Sequence, residues 1–152
     1  MTLLDPPAES QTKSHAIKIT LIVVVMALII GGWFVFRYYP EKRAVNHFLD
    51  ALVAGDTARA YQLWKPSASY RMGDFLADWG PEGYYGPVKS YEILRATAPK
   101  ESNGVIVSVA VSPFSPMPPA SDAQKSRRTK VIPVFVDANS KAISFSPSTP
   151  EE

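Results

Sequence analysis

The chain has 152 residues, a net charge of +2, 46% hydrophobic residues, 14 prolines and no cysteine. Disulfides, a thiolate nucleophile and a cysteine zinc site are therefore excluded, and so near-neutral a balance disfavours binding of nucleic acid through a basic face. The length suits one domain of ordinary size beside any tail or anchor.

The first stretch, 1–16, is polar and carries Pro6-Pro7; it reads as a disordered tail. The segment 17–37 follows. Within it, Ile19–Phe36 holds 18 consecutive residues without a charge. At about 1.5 Å per residue that length matches the hydrocarbon core of a bilayer, so the segment is expected to be a single transmembrane helix. It is too long for the apolar core of a cleavable signal peptide, and no A-x-A site follows it. Lys18 can carry its ammonium to the head groups, and Trp33, Tyr38 and Tyr39 gather at the other end as interfacial aromatics do. Lys13, His15 and Lys18 precede the segment and Arg37, Lys42 and Arg43 follow it, so the positive-inside balance is nearly even. A short tail, a signal anchor and then a folded domain is the usual order for an extracytoplasmic domain, and that orientation is expected in a bacterial inner membrane.

The domain is expected over 41–146. Pro40 and Glu41 suit a helix start. Val45, Phe48, Leu49 and Leu52 recur at i, i+3, i+4 and i+7, and Gly55 stops the helix. Asp56 can cap a second helix carrying Tyr61 and Trp64, ended by Pro66. A third short helix is expected over Tyr70–Trp79, then a turn-rich loop, P-E-G-Y-Y-G-P.

From Val88 the period changes to two. Val88–Ala98 reads as a strand with untidy alternation, and Asn103-Gly104 as a hairpin turn. Val105, Val107, Val109 and Val111 mark the buried face of the next strand. Pro113–Ser126 holds four prolines and is expected to be a mobile flap or contact arm. Thr129–Asp137 is the third strand, with Pro133 placing it near an edge or at a bulge. Lys141–Ser146 is the last strand, and 147–152 is a polar tail. Helices followed by antiparallel strands give an α+β class, with the helices across one face of a curved sheet.

The run A-V-N-H-F-L-D-A-L-V-A-G-D-T-A-R-A-Y-Q-L-W, with G-P-V-K-S-Y-E-I entering the sheet, resembles cystatin-like, nuclear-transport-factor-two-like domains. The resemblance covers Glu41 to Phe145. It implies helices cupping a bent antiparallel sheet, often around a pocket. The family is functionally mixed, holding isomerases, dehydratases, transport factors and scaffolds, so the fold leaves function open.

Enzymatic members place a carboxylate or a His–Asp pair in that pocket. The candidates are His47, Asp50, Asp74 and Asp78. His47 lies at the edge of the apolar stripe and reads as a surface histidine. Asp74 and Asp78 share a helix face and could hold a cation or share a proton, though solvated carboxylates at that spacing are the plainer reading. No catalytic, cofactor or metal residue is assigned. Tyr61, Trp64, Trp79, Tyr84, Tyr85 and Tyr91 are candidate pocket or contact residues, Tyr84-Tyr85 standing out in a Gly/Pro loop. Lys125, Arg127, Arg128 and Lys130 form a basic run that suits anionic lipid, an acidic partner or, most simply, a charged strand edge.

The expected function is a non-enzymatic, single-pass protein that presents a small domain for binding or scaffolding. Its partners would be the lipid bilayer and another membrane or periplasmic protein, with no nucleic acid. The alternatives are an accessory or assembly subunit of a larger membrane complex, and a pocket enzyme of the isomerase or dehydratase type.

Overall fold

The computed structural model describes residues 9–65, 69–100 and 102–146. The chain divides between Arg37 and Tyr38 into two compact units. Helix α1 (Glu9–Phe36) makes up the described part of the first. It begins inside the stretch expected to be a disordered tail, because a long apolar helix, once nucleated, adds a turn at its end at little further cost. Side chains of α1 are described without a break over 17–33, and among the described residues no helix is long and apolar enough to cross a membrane. The first eight residues and the tail 147–152 lie outside the described residues.

The second unit is α+β. Helix α2 (Tyr39–Val53) carries Pro40 in its first turn and buries Val45, Phe48, Leu49 and Leu52, the stripe expected from their spacing. Its C-terminus is closed by two backbone bonds: Gly55 N–H donates to Leu52 and Asp56 N–H to Ala51. That pattern needs a left-handed residue, and Gly55, at φ +76°, supplies it. Asp56 then starts helix α3 (Thr57–Leu63), its Oδ1 accepting from Arg59 N–H at 3.0 Å. Helix α4 (Met72–Trp79) buries Phe75 and Trp79.

Strands β1 (Ser90–Thr97), β2 (Gly104–Ser112), β3 (Lys130–Asp137) and β4 (Ile143–Phe145) form an antiparallel sheet in that spatial order. Helix α2 packs against β1, β2 and β3. The core lies between them: Val107, Val109, Val134 and Val136 from the sheet, with Phe48, Leu49, Trp64, Phe75 and Trp79 from the helices. The untidy alternation of β1 is a bulge. Ile93 pairs with Val109 and Arg95 with Ser108, leaving Leu94 as the extra, exposed residue.

One expectation is corrected. Asn103-Gly104 is not the two-residue hairpin turn. Gly104 lies in β2 opposite Asp137 with no positive φ, and β1 has already ended at Thr97. Glycine is needed there for space: a Cβ would sit 2.3 Å from Phe135 Cζ and 2.5 Å from the Val136 carbonyl oxygen. Pro133 lies in β3, next to the edge strand, and just beyond the last β3–β4 pair, Val134 with Phe145. Its carbonyl accepts from Ser146 N–H at 3.2 Å, so its missing N–H also points to the β4 side, just where that short strand has ended. The proline-rich stretch is a loop tied to the sheet at its start. Ser112 Oγ accepts from Phe114 N–H at 3.2 Å, Ser90 Oγ donates to the Phe114 carbonyl at 2.6 Å, and the loop contains a short helix α5 (Ala123–Ser126) capped by Asp122.

Candidate functional site

The space between helices and sheet, where a pocket was expected, is filled by aromatic rings. Trp64 lies 5.0 Å from Phe48, 5.4 Å from Trp79 and 4.8 Å from Phe145, centroid to centroid. Trp79 stacks near-parallel on Phe145 at 5.9 Å and meets Tyr85 at 5.0 Å. These tilted and edge-on arrangements suit ring quadrupoles and leave dense packing rather than a cavity. Trp64, Trp79 and Tyr85 are thus core or core-flanking residues. Tyr61 is half-buried beside Phe75 and donates to the Tyr70 carbonyl at 3.2 Å. The Trp79 indole N–H is buried with no hydrogen-bond partner among the described residues.

Of the candidates, His47 and Asp50 line one open surface hollow of about 270 Å³ with Asp56 and Arg59, and each carboxylate is held by a bond of its own. Asp50 accepts from Tyr91 Oη–H at 2.7 Å. Asp74 accepts from Arg71 N–H at 2.9 Å and so closes the first turn of α4. Asp78 accepts from Tyr70 Oη–H at 2.7 Å. The Asp74–Asp78 pair therefore serves two separate structural bonds. His47 is exposed on α2, its Nε2 3.3 Å from Arg43 Nε. Among the described residues no group of histidine and acidic side chains could hold a metal ion.

The tyrosines report their surroundings. Burial first, and then the bond to Asp78, raises the Tyr70 hydroxyl far above its ordinary range. Burial and the bond to Asp50 raise Tyr91 to about 12. Tyr85 is raised by burial and by the nearby Asp78 charge. In each case the neutral phenol is favoured, as suits a hydroxyl that donates or packs rather than one that takes up a proton.

Among the expected interfacial residues, Trp33 is exposed on α1, and Lys18 likewise. Tyr38 instead packs, half-buried, against the domain core, while Tyr39 is exposed at the start of α2.

What remains open is on the surface. One groove of about 320 Å³ runs along β4, lined by Trp64, Lys65, Tyr70, Ile143, Ser144 and Phe145. A larger cleft of about 450 Å³ is formed by the proline-rich loop from Pro113 to Pro119 together with Lys89, Asp122 and Lys125. Phe114 stands in this cleft beneath two cations: Lys125 Nζ lies 5.9 Å and Arg128 Cζ 5.5 Å from its ring centroid. Beside it Tyr84, 67% exposed, is covered by Lys130 Nζ at 3.7 Å, and the same ammonium donates to the Tyr84 carbonyl. Sequence reasoning singled out Tyr84 and the basic run separately. It missed Phe114, which no periodicity marks inside a proline-rich loop.

No family profile, curated protein or solved structure matches the chain.

Proposed function

We propose that the protein is a single-pass membrane protein whose α1 lies in the bilayer and whose α+β domain is a non-enzymatic binding or scaffolding module. The observation that carries this reading is the surface of α1. From Leu21 to Met26, consecutive positions that turn through more than a full circle, every side chain is apolar and between 46% and 64% exposed. A helix apolar on all sides is at home in a protein core or in lipid. No charged side chain falls between Lys18 and Arg37. The binding reading is supported by the domain itself, whose interior is occupied by rings and whose candidate carboxylates Asp50, Asp74 and Asp78 serve a cap and two tyrosine bonds. The order of helices and then an antiparallel meander accords with the cystatin-like likeness. We place the domain on the extracytoplasmic side of a bacterial inner membrane.

Alkaline carbonate extraction of membranes tests the anchor. The chain is expected in the pellet, and Val25→Arg, which puts a charge at the middle of the helix at a cost of about 2.5–3.5 kcal/mol, is expected to shift it toward the supernatant. Quantitative release of the unaltered chain by carbonate ends the reading. A reporter fused after Glu152 that is active only in the cytoplasm reverses the orientation.

A further inference from the structure

The strand register places the cleft, Tyr84 and the basic run at one end of the sheet. Ser90 pairs with Ser112 and Val111 with Lys130, so the start of β1, the end of β2 and the start of β3 meet there. Lys89, Lys125, Arg127 and Arg128 are exposed at this end, with Lys130 half-buried beside them. Among the described residues Asp122 is the one acidic side chain lining the cleft, and it is shared with Lys125 at 3.5 Å. The floor is apolar: Phe114, Met117, Pro118 and Pro119. A chain of prolines over an aromatic ring, rimmed by cations, matches an extended peptide that alternates acidic and apolar side chains. The apolar residues take the floor, and the carboxylates take the Lys and Arg rim.

The apolar floor of Phe114, Met117, Pro118 and Pro119 beside the cations favours a peptide with apolar side chains over a bare phosphate group. We propose that this cleft is a docking site for an acidic, apolar-interleaved segment of a partner protein, with Phe114, Lys125 and Arg128 as its centre. The inference rests on the reading of the domain as a binding module, and not on where α1 resides.

The test uses the full chain in neutral-lipid nanodiscs and a fluorescent peptide of alternating Glu and Leu. Binding is expected to weaken at least tenfold as salt rises from about 0.05 to 0.3 M, since exposed charges are screened over that range. Replacing Glu by Gln in the peptide should abolish it. Lys125→Gln with Arg128→Gln, both exposed and remote from the core, should weaken it by about tenfold or more; Phe114→Ala should do the same at any salt. Equal affinity for the Glu and Gln peptides, or no change in the double variant, overturns the proposal. So does charge-dependent association of the domain with phosphatidylglycerol vesicles in the absence of peptide binding, which would make the rim a lipid site. Failure of peptide binding with carbonate resistance intact removes this inference and leaves the anchored protein; carbonate release with peptide binding intact does the reverse.

Discussion

Lys141 Nζ lies 2.5 Å from Glu41 Oε1, joining the first turn of α2 to the turn after β3 across nearly the whole domain sequence. The carboxylate is 6% exposed and its second oxygen has no partner among the described residues. Lys141 also donates to the Ala138 carbonyl at 2.7 Å, and it holds a left-handed backbone, φ +54°. That turn is built by Asp137, whose Oδ1 accepts from Asn139 N–H, Ser140 N–H and Ser140 Oγ–H. The lysine is thus aimed at Glu41 by a turn whose geometry is specified locally.

Removing the lysine leaves a buried carboxylate without its counter-charge. Lys141→Met is expected to destabilise the domain by about 1–3 kcal/mol, less than for a fully buried pair because the ammonium is partly exposed. Adding Glu41→Gln should recover part of that loss. Urea unfolding followed by tryptophan fluorescence reads both; equal stability of Lys141→Met and the unaltered chain would show the pair to be idle.

Asp137 is held below the ordinary carboxylate range, chiefly by the bonds from Ser140. A depressed folded pKa means that its contribution is present above the unfolded value of 3.8 and is lost as pH falls through the folded value. A carbon-detected NMR titration should find Asp137 titrating below 3.8. Ser140→Ala, which deletes the hydroxyl donor and keeps the backbone one, should move it partway back up.

Tyr91, raised to about 12 by burial and by Asp50, works in the opposite direction. Its contribution is complete below the unfolded value of 10.0 and is lost as pH rises toward 12. In Asp50→Ala the hydrogen bond and the charge go while the burial stays, so tyrosinate absorbance for this residue should appear earlier in an alkaline titration. An unchanged curve, compared against Tyr91→Phe to isolate the residue, would contradict the assignment.

Gly104→Ala should destabilise the domain by about 1–3 kcal/mol through overpacking against Phe135 and the Val136 carbonyl. Phe135→Leu in the same chain should relieve the ring contact and restore part of the stability. Were the glycine there for a positive φ, shortening the ring would restore nothing, so thermal melts of the single and double variants separate the two causes.

Trp64 and Trp79 share the same cluster, but substitutions there should not cost the same. Trp64→Ala opens a cavity among Phe48, Trp79 and Phe145 and should cost about 3–5 kcal/mol. Trp79→Phe keeps a ring in place and removes a buried N–H that has no partner among the described residues, so its packing loss is partly offset and the net change should stay under about 1.5 kcal/mol. Chemical denaturation of the two variants gives the comparison directly.

Local chemistry made much of this molecule readable before any coordinates. The α2 stripe, the Gly55–Asp56 corner and the buried valines of β2 and β3 follow from spacing and from single-residue backbone preferences, which act within a few neighbours. Those same rules give no information about which distant groups meet. The pairing of Glu41 with Lys141, the use of Asp50 and Asp78 by tyrosines, the ring of Phe135 that requires a glycine at 104, and the gathering of Phe114 with Lys125 and Arg128 all depend on strand register and helix placement. Register is decided by the packing of the whole sheet against the helices, a cooperative free energy that no short window of sequence contains. The elements are therefore legible in the chain one at a time, and the contacts that give the domain its surface chemistry exist only once all of them have packed.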